Sequence, residues 1–271
     1  MTQAKSKLYK AFEIEAYLAR VGLSAEPQAN EQGLHLLHLA QFYHIPFENL
    51  DIQLGRGINL EAGHLFRKLV SQARGGYCFE LNGLMLMALH EFGFKARPLL
   101  ARVHLRTPPG GRTHQVNCVE IDDRLWLVDV GFGAGGPRLP IPLEEGWVGE
   151  EAGWAFRLER REPWGWLLQS LENGRWQDSY SFDLGHVTEA DIAVSNHYTS
   201  TSPDIHFTQA RVVSIPRPQG RVSLWNFTLT EIQDGHKSTR EIEPGPDYLN
   251  VLADYFGIKL DAPYSALKQL C

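Results

Sequence analysis

The chain has 271 residues, of which 43% are hydrophobic and 21% are charged, and its formal net charge is −6. This composition is typical of a globular protein, and the acidic balance argues against non-specific binding to nucleic acid or to anionic membranes. Three cysteines are too few for a disulfide framework. The first residues lack the apolar core of a signal peptide, and no stretch approaches the roughly 18 apolar residues of a spanning helix. We therefore expect a cytoplasmic protein.

The first third of the chain has the periodicity of helices. One helix is predicted before Gly22, and a second over residues 31–43 with Asn30 as its N-cap. His35 and His38 lie three positions apart in the second helix. We interpret them as ordinary helix histidines, because no further metal ligands lie nearby, and we expect no metal site. Residues 45–50 are expected to form a turn that carries Glu48, and another helix is predicted over residues 61–71.

Residues 74–83 read Arg-Gly-Gly-Tyr-Cys-Phe-Glu-Leu-Asn-Gly and give the strongest chemical signal in the sequence. The two glycines predict a tight approach, and the apolar run that follows predicts a helix ending near Gly93. Cys78 then lies at the start of a buried helix, where unpaired N–H groups and the helix dipole favour a thiolate over a thiol. The placement suits a nucleophile, and the alternative is a buried, inert cysteine.

Short segments rich in β-branched residues begin near Lys95 and are bounded by turn residues. Predicted strands cover residues 98–105, 114–121, 124–130, 154–159, 164–171 and 176–182, which indicates an antiparallel sheet or small barrel. A short helix over 189–195, a polar loop from Asn196, strands over 211–216, 221–231 and 238–242, and a helix over 247–256 complete the chain. This order predicts an α+β protein with three parts, residues 1–93, 94–186 and 187–271.

Two polar residues of the predicted sheet can work with Cys78. His114 opens one strand, Asp129 ends the next, and pairing through the turn at 122–123 brings both to one edge of the sheet. A histidine that accepts the thiol proton and a carboxylate that orients the imidazole are what a cysteine nucleophile needs. His114 alone would fit an ordinary strand histidine, but a carboxylate in the apolar run around Asp129 is costly without a partner.

These motifs closely resemble those of the arylamine N-acetyltransferases. The resemblance is carried by Arg-Gly-Gly-Tyr-Cys at 74–78, Pro-Phe-Glu-Asn-Leu at 46–50, the His114 strand and Val-Asp-Val-Gly-Phe-Gly at 128–133. It runs over nearly the whole chain in the same order. It implies an N-terminal helical bundle, a central antiparallel β-barrel and a C-terminal α/β lid, with a Cys-His-Asp site like that of cysteine proteases. It further implies acetyl-CoA as donor and an arylamine or arylhydrazine as acceptor.

Carried over by position, the resemblance makes Cys78 the nucleophile, His114 the base and Asp129 its orienter. It also places Phe132 and Phe207 against the acceptor. The glycine-rich loop that starts with Gly131, Phe132 and Gly133 offers backbone N–H groups to the CoA pyrophosphate, although turn-forming glycines would give the same pattern. The expected reaction is a ping-pong transfer through an acetyl-cysteine.

Two other functions use the same residues or the same fold. One is a cysteine hydrolase or transglutaminase-like amidase, and the other is a non-catalytic binding protein. Arg74 and Glu80 are expected to brace the turn and the helix start, Cys118 to lie in the core and Cys271 to have no role. The acceptor amine, the acyl-chain preference and the choice between monomer and homo-oligomer stay open.

Overall fold

The computed structural model describes residues 9–151 and 153–270. The helices in this part of the chain are α1 (Ile14–Val21), α2 (Glu31–His44), α3 (Leu50–Gln53), α4 (Ala62–Phe66), α5 (Cys78–Glu91), α6 (Glu189–Thr201) and α7 (Pro246–Phe256). A π-helical turn, Arg67–Ser71, continues α4, so the helix predicted over 61–71 is present with an irregular second half. As predicted, the Asn30 side chain caps α2 by accepting a hydrogen bond from the Gly33 N–H at 2.9 Å.

The strands form two antiparallel sheets. They are β1 (Phe47–Glu48), β2 (Lys95–Val103), β3 (His114–Ile121), β4 (Arg124–Val128), β5 (Ile141–Pro142), β6 (Trp147–Glu151), β7 (Trp154–Arg161), β8 (Gly165–Glu172), β9 (Arg175–Phe182), β10 (Val212–Arg217), β11 (Gly220–Trp225), β12 (Thr228–Gln233) and β13 (His236–Glu241). Eight strands in the order β5-β4-β3-β2-β9-β8-β7-β6 curl into a nearly closed barrel. The other sheet has the order β1-β10-β11-β12-β13.

The architecture confirms the predicted α+β fold with its helices and central barrel. In sequence order, helices α1–α5 come first, the barrel follows, and α6, β10–β13 and α7 come last. Strand β1 lies in the first third of the chain yet pairs with β10, so that Phe47 lies opposite Ser214. The division into parts at residues 93/94 and 186/187 stays a prediction.

Two predicted elements of the last third are wrong in detail. The strand predicted over 221–231 is a hairpin, because Asn226 adopts a left-handed φ of 53° and turns the chain so that Trp225 pairs with Thr228. The polar loop predicted from Asn196 is helical, since α6 continues to Thr201. Its polar residues have weak helix propensity, but Asn196 is buried and bonded to the Tyr77 side chain, and tertiary contact prevails over propensity.

Buried side chains fall into three clusters. The first lies between α1, α2, α4 and α5 and includes Phe79 and Leu84, the second lies inside the barrel, and the third lies between β10–β12 and α7. In the ranges 9–151 and 153–270, we find no helix with the length and apolar character needed to cross a membrane.

The packing of the helices of the first cluster against the barrel positions the functional residues. Helix α5 packs against β3, so the start of the helix faces the start of the strand. In the β3–β4 hairpin Asn117 pairs with Val128, and this register brings Asp129, just beyond β4, beside the first residues of β3. Cys78, His114 and Asp129 therefore lie where three elements begin or end.

Candidate active site

The turn before Cys78 is built around two glycines that permit close backbone contacts. A Cβ atom on Gly75 would lie 2.2 Å from the carbonyl oxygen of Pro46, and one on Gly76 would lie 2.7 Å from the Cβ of Glu80. No side chain fits at either distance. The tight approach predicted from the sequence is present, and it delivers Cys78 as the first residue of α5.

Buried ion pairs hold this turn in place. Arg74 contacts the carboxylates of Glu48 at 2.7 Å and Asp51 at 3.2 Å, and Lys68 contacts those of Asp51 and Glu80, each at 2.7 Å. Burial alone would lower the pKa of Lys68, but the three carboxylates outweigh it and raise that pKa. For Glu80 the effect of burial prevails and raises the pKa, although Lys68 opposes it. The network braces the turn, as expected for Arg74 and Glu80.

Glu80 also fixes the first turn of α5. Its carboxylate accepts a hydrogen bond from the Tyr77 backbone N–H at 3.1 Å, which satisfies a donor that the helix itself leaves unpaired. The Tyr77 hydroxyl reaches Asn196 of α6. Helix α6 is therefore tied to the residue that precedes Cys78.

His114 and Asp129 form a buried hydrogen-bonded pair. Imidazole Nε2 lies 2.8 Å from carboxylate Oδ2, and both side chains are buried. Burial lowers the pKa of His114, but the charge and hydrogen bond of Asp129, together with the interaction with Cys78, raise it to about 10. Burial raises the pKa of Asp129, yet His114 and two further donors lower it overall. The imidazolium and the carboxylate are therefore the stable forms at neutral pH.

The Cys78 thiol completes the set from the other side of the imidazole. Because Asp129 occupies Nε2, Nδ1 is the ring nitrogen left for the thiol, and the interaction with Cys78 contributes to the raised pKa of His114. The sulfur also lies 3.8 Å from the carbonyl oxygen of Thr113. The three residues predicted from the sequence are thus brought together, in an arrangement that can hold a thiolate beside an imidazolium.

Asn82, which the sequence analysis did not single out, ties the site to its scaffold. Its side-chain Nδ2 donates to Asp129 Oδ1 at 2.9 Å and to the Gln115 carbonyl at 2.6 Å, and its Oδ1 accepts from the Val130 N–H at 3.1 Å. Asn82 lies four positions after Cys78 and so on the same face of α5. That spacing, with a fully buried amide, is the signal that would have found it.

The backbone of Gly131 makes close contacts within the protein, and its predicted role in CoA binding stays a prediction. Its N–H donates to Asp129 Oδ1 at 2.9 Å, so this donor already has an acceptor within the protein. A Cβ at this position would lie 2.9 Å from the Cα of Cys78 and 2.5 Å from Asn82 Nδ2. The absence of a side chain thus lets the loop pack against the start of α5.

The rest of the glycine-rich loop faces a cleft. Two backbone N–H groups of the loop already have acceptors within the protein. The Ala134 N–H donates to the Ser214 hydroxyl at 3.2 Å, and the Gly136 N–H donates to the Gly133 carbonyl at 3.0 Å. Within residues 9–151 and 153–270, the N–H groups of Phe132, Gly133 and Gly135 have no acceptor. These three donors are the part of the loop that can contact an anion.

The cleft has a volume of about 630 Å³ and reaches Cys78 and His114. Phe132 and Phe207 both line it, and their contact with the acceptor stays a prediction. The Phe132 ring packs edge-on against His114, with centroids 5.2 Å apart, and Phe207 packs edge-on against Tyr77 at 5.9 Å. These aromatic walls suit a flat apolar ligand close to the thiol.

Cys118, His35 and His38 lie away from the cleft. Cys118 is buried in β3, where burial raises the pKa of its thiol, and Cys271 lies outside the described residues. His35 is bonded to the Glu31 carbonyl, whereas His38 is buried and bonded to the Pro137 carbonyl, so the two histidines do not act together. No cluster of three or more metal-ligating side chains occurs in the described part of the chain.

Known proteins resemble this chain over most of its length. A family model described as N-acetyltransferase matches residues 31–264. An arylamine N-acetyltransferase of Escherichia coli (strain K12) is 36% identical over 249 residues, which cover 90% of this chain and 88% of the relative. The structure of an arylamine N-acetyltransferase from Salmonella typhimurium has a TM-score of 0.87 at 34% identity and 92% coverage of both chains. That of the Mycobacterium marinum enzyme in complex with CoA has a TM-score of 0.88 at 31% identity, covering 94% and 97%.

Proposed function

Because the chain belongs to the arylamine N-acetyltransferase family, we propose that it transfers an acetyl group from acetyl-CoA to the nitrogen of an arylamine or arylhydrazine. The reaction is ping-pong and passes through an acetyl-cysteine on Cys78. The observation that carries this proposal is the buried His114–Asp129 pair with the Cys78 thiol on its free side, at the base of an aromatic cleft.

In the first half-reaction the Cys78 thiolate attacks the carbonyl carbon of acetyl-CoA. A carbon–sulfur bond to Cys78 forms, the bond to the CoA sulfur breaks, and His114 gives its proton to the departing CoA thiolate. One thioester replaces another, so the acetyl group stays activated. The backbone N–H of Cys78, in the first turn of α5, is suited to stabilise the oxyanion.

In the second half-reaction the amine enters after CoA has left. Its nitrogen attacks the acetyl-cysteine, the neutral His114 takes the proton from nitrogen, and Cys78 leaves as the thiolate. The amide product and the starting ion pair result. Phe132 and Phe207 hold the aryl ring by stacking and so favour aromatic acceptors over aliphatic amines.

The donor's phosphates require positive charge or free N–H groups. The N–H groups of Phe132, Gly133 and Gly135 meet this requirement, and Arg221 lines the same cleft beside the loop. A Cβ on Gly135 would lie 3.1 Å from Arg221 Nη1, which places the guanidinium against this loop. We assign the CoA pyrophosphate to this wall, with Gly131 acting as a packing residue.

The intermediate is tested by intact-protein mass spectrometry after incubation with acetyl-CoA alone. One acetyl group is expected on the wild type, mapped to Cys78 by digestion and lost when an arylamine is added. The variant Cys78→Ser should form no adduct, while Cys118→Ser should behave as the wild type. A chain that never gains an acetyl group, or that loses it to water as fast as to an amine, contradicts the transferase and favours a hydrolase.

A further inference from the structure

One turn of the chain carries both Phe207, which is predicted to contact the acceptor, and the carboxylate of Asp204. In residues 202–209 the Ile205 N–H donates to the Ser202 carbonyl at 3.1 Å, and the Thr208 hydroxyl donates to the same oxygen at 3.0 Å. These bonds close the turn on itself. Asp204 and Phe207 both belong to it and both line the active-site cleft. The aromatic wall and the carboxylate are therefore held in a fixed relation to each other.

Within the described residues, Asp204 has no cationic partner. It is exposed, and no lysine, arginine or histidine of the described residues lies within ion-pair distance of its carboxylate. The cleft's arginines lie beside other segments. A Cβ on Gly110 would lie 2.6 Å from Arg106 Nη2, and Arg221 lies against Gly135. Among the described residues that line the cleft, Asp204 is the one carboxylate, and its charge is available to a ligand.

We propose that Asp204 determines acceptor specificity, by favouring arylamines with a positively charged or hydrogen-bond-donating group remote from the reacting nitrogen. This inference rests on the proposed function. Phe207 packs against Tyr77, the residue before Cys78, so an aryl ring on Phe207 has its amine near the thiol. Asp204 is exposed, belongs to the same turn and lines the same cleft, so the proposal places it at the other end of the ring. Acceptors with a carboxylate at that end are disfavoured.

The expected effect is modest because Asp204 is exposed. A unit charge about 5 Å from the carboxylate in a medium close to bulk water changes the acceptor's affinity by about fourfold. The carboxylate raises the affinity for a cationic acceptor and lowers it for an anionic one, so the ratio of the two affinities changes by about sixteenfold. Salt screens it, so high ionic strength should reduce the ratio toward that of the variant.

The test compares three acceptors of similar shape: 4-aminobenzyltrimethylammonium, 4-methylaniline and 4-aminobenzoate. For each, kcat/KM is measured with the wild type and with Asp204→Asn at low salt. In a ping-pong reaction the kcat/KM of the acceptor reports only the second half-reaction, so donor binding does not enter. Comparison of each acceptor between the two proteins cancels differences in its intrinsic reactivity. Asp254→Asn, an exposed residue of α7, is the control with the same change in net charge.

Asp204→Asn should lower kcat/KM about fourfold for the cation, raise it about fourfold for the carboxylate and leave 4-methylaniline within twofold. Asp254→Asn should change none of the three. Equal changes for all three acceptors, no change, or the same pattern in Asp254→Asn would overturn the role of Asp204 while leaving the transferase intact. Absence of acetyl transfer to every acceptor would instead contradict the proposed function.

Discussion

Replacing Asp129 by Asn should reverse the hydrogen bonding of the catalytic histidine. Carboxylate Oδ1 accepts from Asn82 and from the Gly131 N–H, each at 2.9 Å, so the oxygen of the new amide must take that position. The amide NH₂ then faces His114 Nε2, which has to become an acceptor. The imidazole proton moves to Nδ1, the atom that faces Cys78, and the ring can no longer take the proton of the thiol.

The size of the effect follows from the electrostatics of the pair. Against the effect of burial, Asp129 and Cys78 raise the pKa of His114 from 6.5 to about 10, so at pH 7 the charged ring outnumbers the neutral one roughly a thousandfold. Without the carboxylate, burial dominates and keeps the imidazole neutral. Cys78 then lacks the imidazolium that stabilises its thiolate, and an ordinary free thiol is ionised to only about one part in a hundred at pH 6.5.

The assay is alkylation by iodoacetamide as a function of pH, with Cys78 followed by peptide mass spectrometry so that Cys118 and Cys271 do not contribute. His114 has a raised pKa in the folded protein, so the imidazolium that supports a thiolate persists below about pH 10 and is lost above it. The wild-type rate should therefore change little between pH 6 and 9. The Asp129→Asn rate should be about a hundredfold lower at pH 6.5 and rise steadily toward pH 9.

Acetyl transfer by Asp129→Asn should fall by about three to four orders of magnitude, as in other triads with a misoriented base. Circular dichroism and the unfolding midpoint show whether the variant is folded, and Asp254→Asn, on the surface of α7, serves as the unperturbed control. Equal alkylation rates for Asp129→Asn and the wild type at pH 6.5 would refute the reasoning, because His114 would then support the thiolate without its carboxylate.

Two further predictions concern the scaffold. Arg74→Met leaves the buried Glu48 carboxylate without its cation and should lower the free energy of unfolding, measured by urea titration, by about 3–5 kcal/mol. The control is Arg124→Met, which removes an exposed ion pair with Glu144 and should leave the urea midpoint nearly unchanged. Gly131→Ala places a Cβ 2.9 Å from the Cys78 Cα and should cost about 1–3 kcal/mol and reduce thiol reactivity. In Gly111→Ala the nearest atom to the new Cβ would be 3.8 Å away, so neither stability nor thiol reactivity should change. Equal stability of the two alanine variants would contradict the packing role of Gly131.

The sequence was informative wherever a pattern had a local cause. The helical periods, the Asn30 cap and the glycines before Cys78 have one physical explanation each, and the structure contains them all. The hairpin at Asn226 was missed because this asparagine is the one turn-forming residue in the two-residue turn, and strand-forming residues flank it on both sides. The continuation of α6 was missed because its stability comes from the contact of Asn196 with Tyr77, which no local pattern reveals.

The candidate site shows the same division. Cys78, His114 and Asp129 could be selected because each is a reactive or costly residue at the end of a predicted element. Their geometry depends on the packing of α5 against β3, which brings distant segments together. Asp204 and Arg221 line the cleft through the placement of the last third of the chain over it, and their sequence context is that of ordinary surface residues.

The polar residues of β3 show why the helix and the barrel meet at the site. Asn117 is fully buried, and its Nδ2 donates to the Asn82 carbonyl at 2.9 Å, while the Gln115 carbonyl accepts from the Asn82 side chain. An apolar side chain at position 117 would remove the donor to the Asn82 carbonyl, whereas the Gln115 carbonyl belongs to the backbone and would remain. The bonds therefore favour one alignment of α5 on β3, and in that alignment Asn82 also contacts Asp129. Asn82 thus takes part both in the contacts that align α5 on β3 and in the one that orients the carboxylate for His114.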